Sequence, residues 1–351
     1  MVHRSEVIKM AVIVIVAAAA TAIVAYFIPW LPKSASEQMD RIAFVYWFAT
    51  IMCIAIFALV VAVLVYSVWA FRASPYDEAD GAHIHGHSGL EIVWTVVPFI
   101  LVVALGVVSA VVMAKNNNAT NPLRVKVYAQ QFAFRFEYPD QGGIKTNELT
   151  LPVRRDVKLE LESADVIHSF WIPVMGQKQD IVPGDPMELI VTPTRTGEFP
   201  LVCAELCGLG HATMRAKVHV LSQADFAAWV REKRGDAGGG SGSGGGSGGG
   251  GSDLGASTFA NAGCGGCHAF APAGSSGAVG PKLDDLDAAA KAAGEPLEQF
   301  VRQSIVEPDA IVAEGFQAGV MPKTYGDSLE AEEIDALVAY LTESTGTEGK
   351  G

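Results

Sequence analysis

Charge is scarce in this chain. Only 18% of its 351 residues are Asp, Glu, Lys or Arg, while 50% are hydrophobic. A water-soluble chain of this size carries about a quarter charged residues, so membrane segments are expected and disorder is excluded for most of the length. Cysteine is scarce too, and five residues cannot build a disulfide scaffold. Bases are outnumbered 25 to 38, for a formal net charge of −13. That balance argues against a nucleic-acid partner, whose phosphates need a basic face. The length exceeds one typical domain and predicts two or three.

The acidity is localised. Residues 1–121 carry 7 acids and 6 bases, residues 122–236 carry 15 and 14, and residues 237–351 carry 16 and 5. The last third therefore holds −11 of the −13, and the chain is made of parts with different surfaces.

Three hydrophobic stretches lack charge altogether: 23 residues between Lys9 and Lys33, 30 between Arg41 and Arg72, and 23 between Glu91 and Lys115. About 20 apolar residues span a bilayer as helix. The second and third predict a transmembrane hairpin within 40–115, with helices over about 43–72 and 91–115. Trp47, Tyr66, Trp69 and Trp94 sit near their ends, as interfacial aromatics do. The first stretch, in residues 1–32, follows His3, Arg4 and Lys9. It suits a cleaved signal peptide or an additional retained helix, and retention is the expectation. The basic N-terminus starts inside. Three spans then place everything after Lys115 on the outer face of a bacterial cell membrane, with lipid as the first partner.

From Pro122 the pattern changes to period two. Leu123–Tyr128, Phe132–Phe136, Val157–Leu161 and Arg215–Val220 alternate, and Pro/Gly/Asp turns separate them. This predicts an antiparallel β-sandwich over 122–225. Residues 236–252 form a linker, of which 238–252 are only Gly and Ser. Such a tether spans roughly 20 Å on average and about 50 Å at full stretch. Residues 253–345 read as a small all-α domain. Its last helix carries Ile334, Leu337, Val338 and Leu341 on one face, with Ser328 as the expected N-cap.

Two constellations carry chemistry. Cys203-Ala-Glu205-Leu-Cys207-Gly-Leu-Gly-His211-Ala-Thr-Met214 gathers two thiolates, an imidazole, a thioether and a carboxylate, and His168 opens an apolar strand upstream. Soft donors of this kind favour copper. A single-copper electron-transfer site needs one Cys, whereas two Cys on one loop can bridge two coppers. Zinc and a Cys203–Cys207 disulfide are the alternatives, although the spacing is not that of a zinc finger. Met214 taken alone reads as core. The second constellation is Cys264-Gly-Gly-Cys267-His268, the C-x-x-C-H pattern of covalent haem attachment. A thioredoxin-like dithiol would need a βαβ context that is absent here. Met321 is the sole methionine after His268 and no histidine follows. The sixth iron position is therefore Met321 or open.

Two apolar helices, a sandwich, His168-Ser-Phe-Trp-Ile-Pro173 and C-x-E-x-C-x₃-H-x₂-M together resemble subunit II of haem–copper cytochrome c oxidases, over roughly residues 40–225. The segment 253–344 is similar to a class I cytochrome c. The whole resembles the fused subunit II of a caa-type oxidase. The resemblance implies a cupredoxin-like sandwich in which His168, Cys203, Cys207, His211, Met214 and the Glu205 carbonyl bind a dinuclear copper centre of CuA type. The Glu205 side chain would face a magnesium shared with subunit I. Asp165 lies near that interface in the family, or is a plain turn carboxylate. Gly280-Pro281-Lys-Leu283 resembles the segment whose Pro281 carbonyl holds the haem histidine. Glu91 would mark the mouth of a proton path, or simply favour a helix N-terminus. His83, His85 and His87 read as a solvated loop before they read as a metal site. The family's Trp-rich electron-entry stretch is replaced by Gln130–Tyr138, which leaves Phe132 and Phe134 as entry surface or as sandwich core.

The implied role is electron transfer. One haem c would pass electrons to copper and on to subunit I, which reduces oxygen and pumps protons in another chain. Partners would be subunit I, other oxidase subunits, and a donor such as a quinol–cytochrome c reductase or a soluble cytochrome c. Two other roles fit the same motifs: electron entry to a dicopper nitric oxide reductase, and a membrane-anchored carrier without a catalytic subunit.

Overall fold

The computed structural model describes residues 4–72, 76, 83, 85–235 and 250–345. They fall into two units, each described here by itself.

The first unit holds three long helices, α1 (Arg4–Phe27), α2 (Glu37–Ala70) and α3 (Ser88–Asn116). All three are long and apolar enough to cross a membrane. Helix α2 extends beyond its expected start because Glu37 and Asp40 continue the helical turn, and α3 starts at Ser88, where the His87 side chain caps it. Polar contacts at the ends tie the helices together. Arg41 Nη1 near the start of α2 donates to Asn116 Oδ1 at the end of α3 (3.2 Å). Tyr66 in α2 donates to the Glu6 carboxylate in α1, and Lys9 stands 5.5 Å from the centroid of the Trp69 ring. Successive helices therefore run antiparallel.

The second unit begins with strands β1 (Leu123–Gln130), β2 (Ala133–Tyr138), β3 (Ile144–Thr146), β4 (Leu149–Pro152), β5 (Val157–Ser163), β6 (His168–Trp171), β7 (Lys178–Ile181), β8 (Met187–Val191), β9 (Gly197–Cys203) and β10 (Arg215–Leu221). They form two five-stranded sheets, β3-β2-β1-β5-β8 and β4-β10-β9-β6-β7. The period-two alternation drives this packing, with Leu123, Val125, Val127 and Ala129 of β1 and Val157, Leu159 and Leu161 of β5 all buried. The sheets are not purely antiparallel: β1 pairs β5 in parallel, and β4 pairs β10 in parallel. Alternation encodes which face is buried but not the direction of the neighbouring strand, so the sequence pattern could not distinguish the two. A helix the pattern did not anticipate, α4 (Gln223–Lys233), closes the sandwich with Phe226 and Val230 buried against its core. Ser222 caps it through the Asp225 N–H (3.1 Å).

After the undescribed part of the linker come α5 (Gly250–Asn261), α6 (Cys264–Cys267), strands β11 (His268–Phe270) and β12 (Ser275–Ala278), then α7 (Leu286–Ala293), α8 (Leu297–Val306), α9 (Tyr325–Ser328) and α10 (Ala331–Thr345). Three expectations change here. The linker expected over 236–252 ends at 249, because α5 begins inside the Gly/Ser run. The domain is not all-α, since β11 and β12 pair as a hairpin too short to leave a periodic signal. The last helix starts at Ala331, not behind Ser328, and the Glu333 carboxylate accepts the Glu330 N–H (2.9 Å) where a capping side chain was expected at Ser328. Ile334, Leu337, Val338 and Leu341 are buried as expected, against Phe259, Phe270 and Phe300.

One side chain braces the two sheets. Tyr138 of β2 is fully buried; its hydroxyl donates to the Thr150 carbonyl of β4 (3.0 Å) and accepts the Thr150 N–H (2.7 Å). Tyr138→Phe leaves both Thr150 groups buried without a partner, so unfolding of the sandwich should shift by about 1–3 kcal/mol. Denaturant melts of the variant against the parent protein measure this, and an unchanged midpoint removes the brace.

Candidate functional site

The copper-type donors come together from two adjacent strands and one loop. His168 opens β6 and Cys203 closes β9, and these strands pair with Phe170 opposite Cys203. The loop 204–214 then brings Cys207, His211 and Met214 back over the same spot. Its ends are held by the backbone, with Cys203 N–H donating to the Met214 carbonyl (3.1 Å) and Ala204 N–H to the Ser169 carbonyl (3.0 Å). The Cys203 and Cys207 sulfurs lie 3.8 Å apart. His168 Nδ1 and the Glu205 carbonyl lie 4.0 Å and 3.3 Å from the Cys203 sulfur. His211 Nδ1 and Met214 Sδ lie 3.6 Å and 3.7 Å from that of Cys207. Among the described residues, His168, Cys203 and Cys207 form the one group of three spaced to hold a metal ion. Both cysteines are free and buried, which sets aside the disulfide.

The donor set fits copper. Bonds of ~2.3 Å from one ion to both thiolates reach across 3.8 Å without strain. Two thiolates, two imidazoles, a thioether and a carbonyl exceed what one tetrahedral ion takes, and the thioether is a soft ligand. The electrostatics point the same way. Burial disfavours the Cys203 thiolate, but hydrogen bonds with His168, the Glu205 and Ser169 backbone and His211 together outweigh it and lower that thiol. Burial, and then the charge of Cys203, push the Cys207 thiol up. Two adjacent thiolates are stable together only with cations between them.

Asp165 is more than a turn carboxylate. Its Oδ1 meets His168 Nε2 at 2.7 Å and accepts the Val166 N–H, while its Oδ2 accepts the Gln131 N–H at 2.7 Å. Burial would raise its pKa, but these partners hold it below the usual carboxylate range. The contact holds Nε2 and leaves Nδ1 facing the sulfur. Gln131 Nε2 donates to the Cys207 carbonyl (2.6 Å). Sequence reasoning passed over Gln131, and no motif flagged it. Gly208 and Gly210 were also missed, although Gly-Leu-Gly in the loop was a signal. A Cβ on Gly210 would lie 2.4 Å from the Phe132 ring. Phe132 and Phe134 are both buried in the sandwich core, and Phe134 packs edge-on against Phe170.

The second constellation lines a cavity of ≈ 480 Å³ whose walls include Cys264, Cys267, His268, Met321 and Phe132. His268 Nδ1 meets the Pro281 carbonyl at 2.7 Å, which leaves Nε2 as the free ring nitrogen. Burial lowers the His268 pKa and keeps the ring neutral, as a metal ligand must be. A Cβ on Gly280 would lie 2.5 Å from that ring, so only glycine lets the Pro281 strand approach. Burial pushes the Cys264 thiol up to about 12, opposite to a redox-active dithiol. A large, apolar cavity closed by two thiols, a neutral imidazole and a thioether fits a haem c.

The remaining candidates are Glu91, the histidines before it and the Glu205 side chain. Glu91 is exposed in the first turn of α3, and its Oε1 accepts the His87 N–H (2.9 Å) while His87 Nδ1 accepts the Leu90 N–H (3.2 Å). This is a reciprocal helix cap. His83 and His85 are exposed and join no ligand group among the described residues. The Glu205 side chain is exposed. Asp165→Ala should weaken copper retention by about 10–100-fold in competition with a chelator. Retention equal to the parent's would show that the His168–Asp165 contact does not orient the ligand.

Three family models match this chain. Residues 10–112 match "Cytochrome C oxidase subunit II, transmembrane domain", residues 144–221 match "Cytochrome C oxidase subunit II, periplasmic domain", and residues 252–341 match "Cytochrome C oxidase, cbb3-type, subunit III". Cytochrome c oxidase subunit 2 of Alkalihalophilus pseudofirmus is 32% identical over 83% of this chain and 84% of its own length. That of Bacillus subtilis is 30% identical over 88% and 90%. The crystal structure of the periplasmic domain of cytochrome oxidase subunit II from Bradyrhizobium japonicum covers 34% of this chain and 98% of its own, at 30% identity and a TM-score of 0.32. Spanning helices, sandwich and haem-type domain occur in one sequence with relatives matched over most of their length: this chain belongs to the cytochrome c oxidase subunit II family, as a membrane protein with a C-terminal cytochrome c domain.

Proposed function

We propose that this chain is the electron-entry subunit of a caa-type cytochrome c oxidase. In this reading, electrons arrive at a haem c held by Cys264, Cys267, His268 and Met321. They pass to a dinuclear copper centre on His168, Cys203, Cys207, His211, Met214 and the Glu205 carbonyl. They leave to subunit I, where oxygen becomes water and protons are pumped. Two coppers sharing two thiolates would spread one electron and reduce the bond changes on transfer.

The observation that carries this reading is the position of Phe132. Its ring lies against Gly208 and Gly210 of the copper-site loop, and the same side chain lines the haem-type cavity beside Cys267 and His268. Close packing continues alongside: a Cβ on Gly263 would lie 2.8 Å from the Ala133 Cβ, and one on Gly266 3.6 Å from Thr213 Oγ1. An aromatic ring touching both sites offers a contiguous route between them. The tether supports the same reading, since it keeps the haem domain at mM-scale effective concentration. Phe132 thus acts as the internal entry surface, where soluble donors would otherwise dock.

The exposed Glu205 carboxylate, with exposed Leu206 and Leu209 beside it, is suited to a magnesium and an apolar surface on subunit I. Glu91 would open the proton path from its place at the α3 N-terminus. The acidic haem domain would attract a basic cytochrome donor or dock on a quinol–cytochrome c reductase.

Low-temperature EPR of the oxidised chain tests the copper reading. Hyperfine splitting from one electron shared over two equivalent coppers is expected; a single-copper pattern, or zinc by elemental analysis, overturns it. Cleaving the tether tests the transfer reading. Turnover should then depend on added haem-domain concentration, and a cut protein equally fast when dilute refutes the tethered route.

A further inference from the structure

The segment that carries Met321 has no regular structure of its own. Between the end of α8 at Val306 and the start of α9 at Tyr325, residues 307–324 form neither helix nor strand. Methionine is a flexible side chain, so a thioether on such a loop is aimed only if something fixes the backbone. Helix α8 is fixed, because Phe300, Val301 and Ile305 are buried in the domain core. Asp309 stands three residues past its end. Asp309 Oδ1 accepts the Gly319 N–H at 2.6 Å, and its Oδ2 pairs with Lys323 Nζ at 2.5 Å. These two partners flank Met321 symmetrically, two residues before and two after.

The geometry of the loop favours this grip. Gly319 has φ +76°, a conformation natural to glycine, and it is from this turn that its N–H reaches the carboxylate. The Lys323 ammonium, and then the Gly319 N–H, hold the Asp309 carboxyl below the usual carboxylate range. The carboxylate is 29% exposed and lies at the cavity wall with Met321 and Val320.

We infer that Asp309 is the positioning residue that clamps the Met321 loop over the haem cavity, transmitting the fixed end of α8 to both flanks of the ligand. The inference rests on the reading of Met321 as the sixth iron ligand. It gives the acidic residue a part in the haem site without contact to the haem.

The test uses the full haem-loaded chain in the ferric state, with three readouts. These are the methionine-to-iron charge-transfer band in the near infrared, the haem midpoint potential, and the affinity for added imidazole, which competes with methionine. Asp309→Ala should weaken the band, lower the potential and raise imidazole affinity about 10-fold or more. Asp309→Asn should fall between, because its amide oxygen still accepts the Gly319 N–H while the Lys323 pair is lost. Should Asp309→Ala fail to attach haem, Asp309→Asn and Lys323→Gln decide. Met321→Ala separates the two readings. If it abolishes the band while the Asp309 and Lys323 variants match the parent protein, the clamp is overturned and the ligand stands. If it leaves band and potential unchanged, Met321 is not the ligand and the clamp falls with it.

Discussion

Two buried sulfur atoms 3.8 Å apart set the problem that the sandwich solves. One thiolate is favoured there and the second is opposed by the first. Only positive charge placed between them makes both stable. The surrounding structure keeps them that close. Strand β9 delivers Cys203, its pairing with β6 sets His168 beside it, and the Cys203–Met214 backbone bond folds the loop so that Cys207 returns. The ten strands behind this loop are rigid support for a few tenths of an ångström of ligand placement.

The haem domain solves the opposite problem. Its site must be apolar and roomy, yet must present one neutral imidazole nitrogen in a fixed direction. Pro281 fixes the ring through its carbonyl, and Gly280 makes room for that approach. Burial keeps His268 uncharged and the two thiols protonated. The two sites thus use burial differently: beside the copper ligands it competes with a dense hydrogen-bond network, and in the haem cavity it dominates.

Much of this was legible in the sequence because the chemistry there is linear. The three uncharged runs, the C-x-E-x-C-x₃-H-x₂-M loop and C-x-x-C-H each announce themselves by spacing. What was not legible depends on chain reversal. Gln131 joins Asp165 and Cys207 only because the β1–β2 turn meets the copper loop, and no local pattern encodes that meeting. The parallel pairing of β1 with β5 was hidden because alternation does not encode strand direction, and the hairpin of β11 with β12 because it is too short to leave a period. Phe132 and Phe134 looked equivalent, two positions apart on an alternating stretch. Both are buried in the sandwich core, but Phe132, in the β1–β2 turn, also packs beneath the copper loop.

The packing of Phe132 under Gly208 and Gly210, with Gln131 holding the Cys207 carbonyl, has a bearing on how the centre is built. These contacts are made by protein atoms alone. Folding of the sandwich therefore orders the loop in part and meets some of the entropy of fixing it. A metal held there would find its donors braced by packing that does not itself touch the ion. Gln131, Gly208 and Gly210 thus bear on the placement of the donors although none of them offers a donor atom to the site.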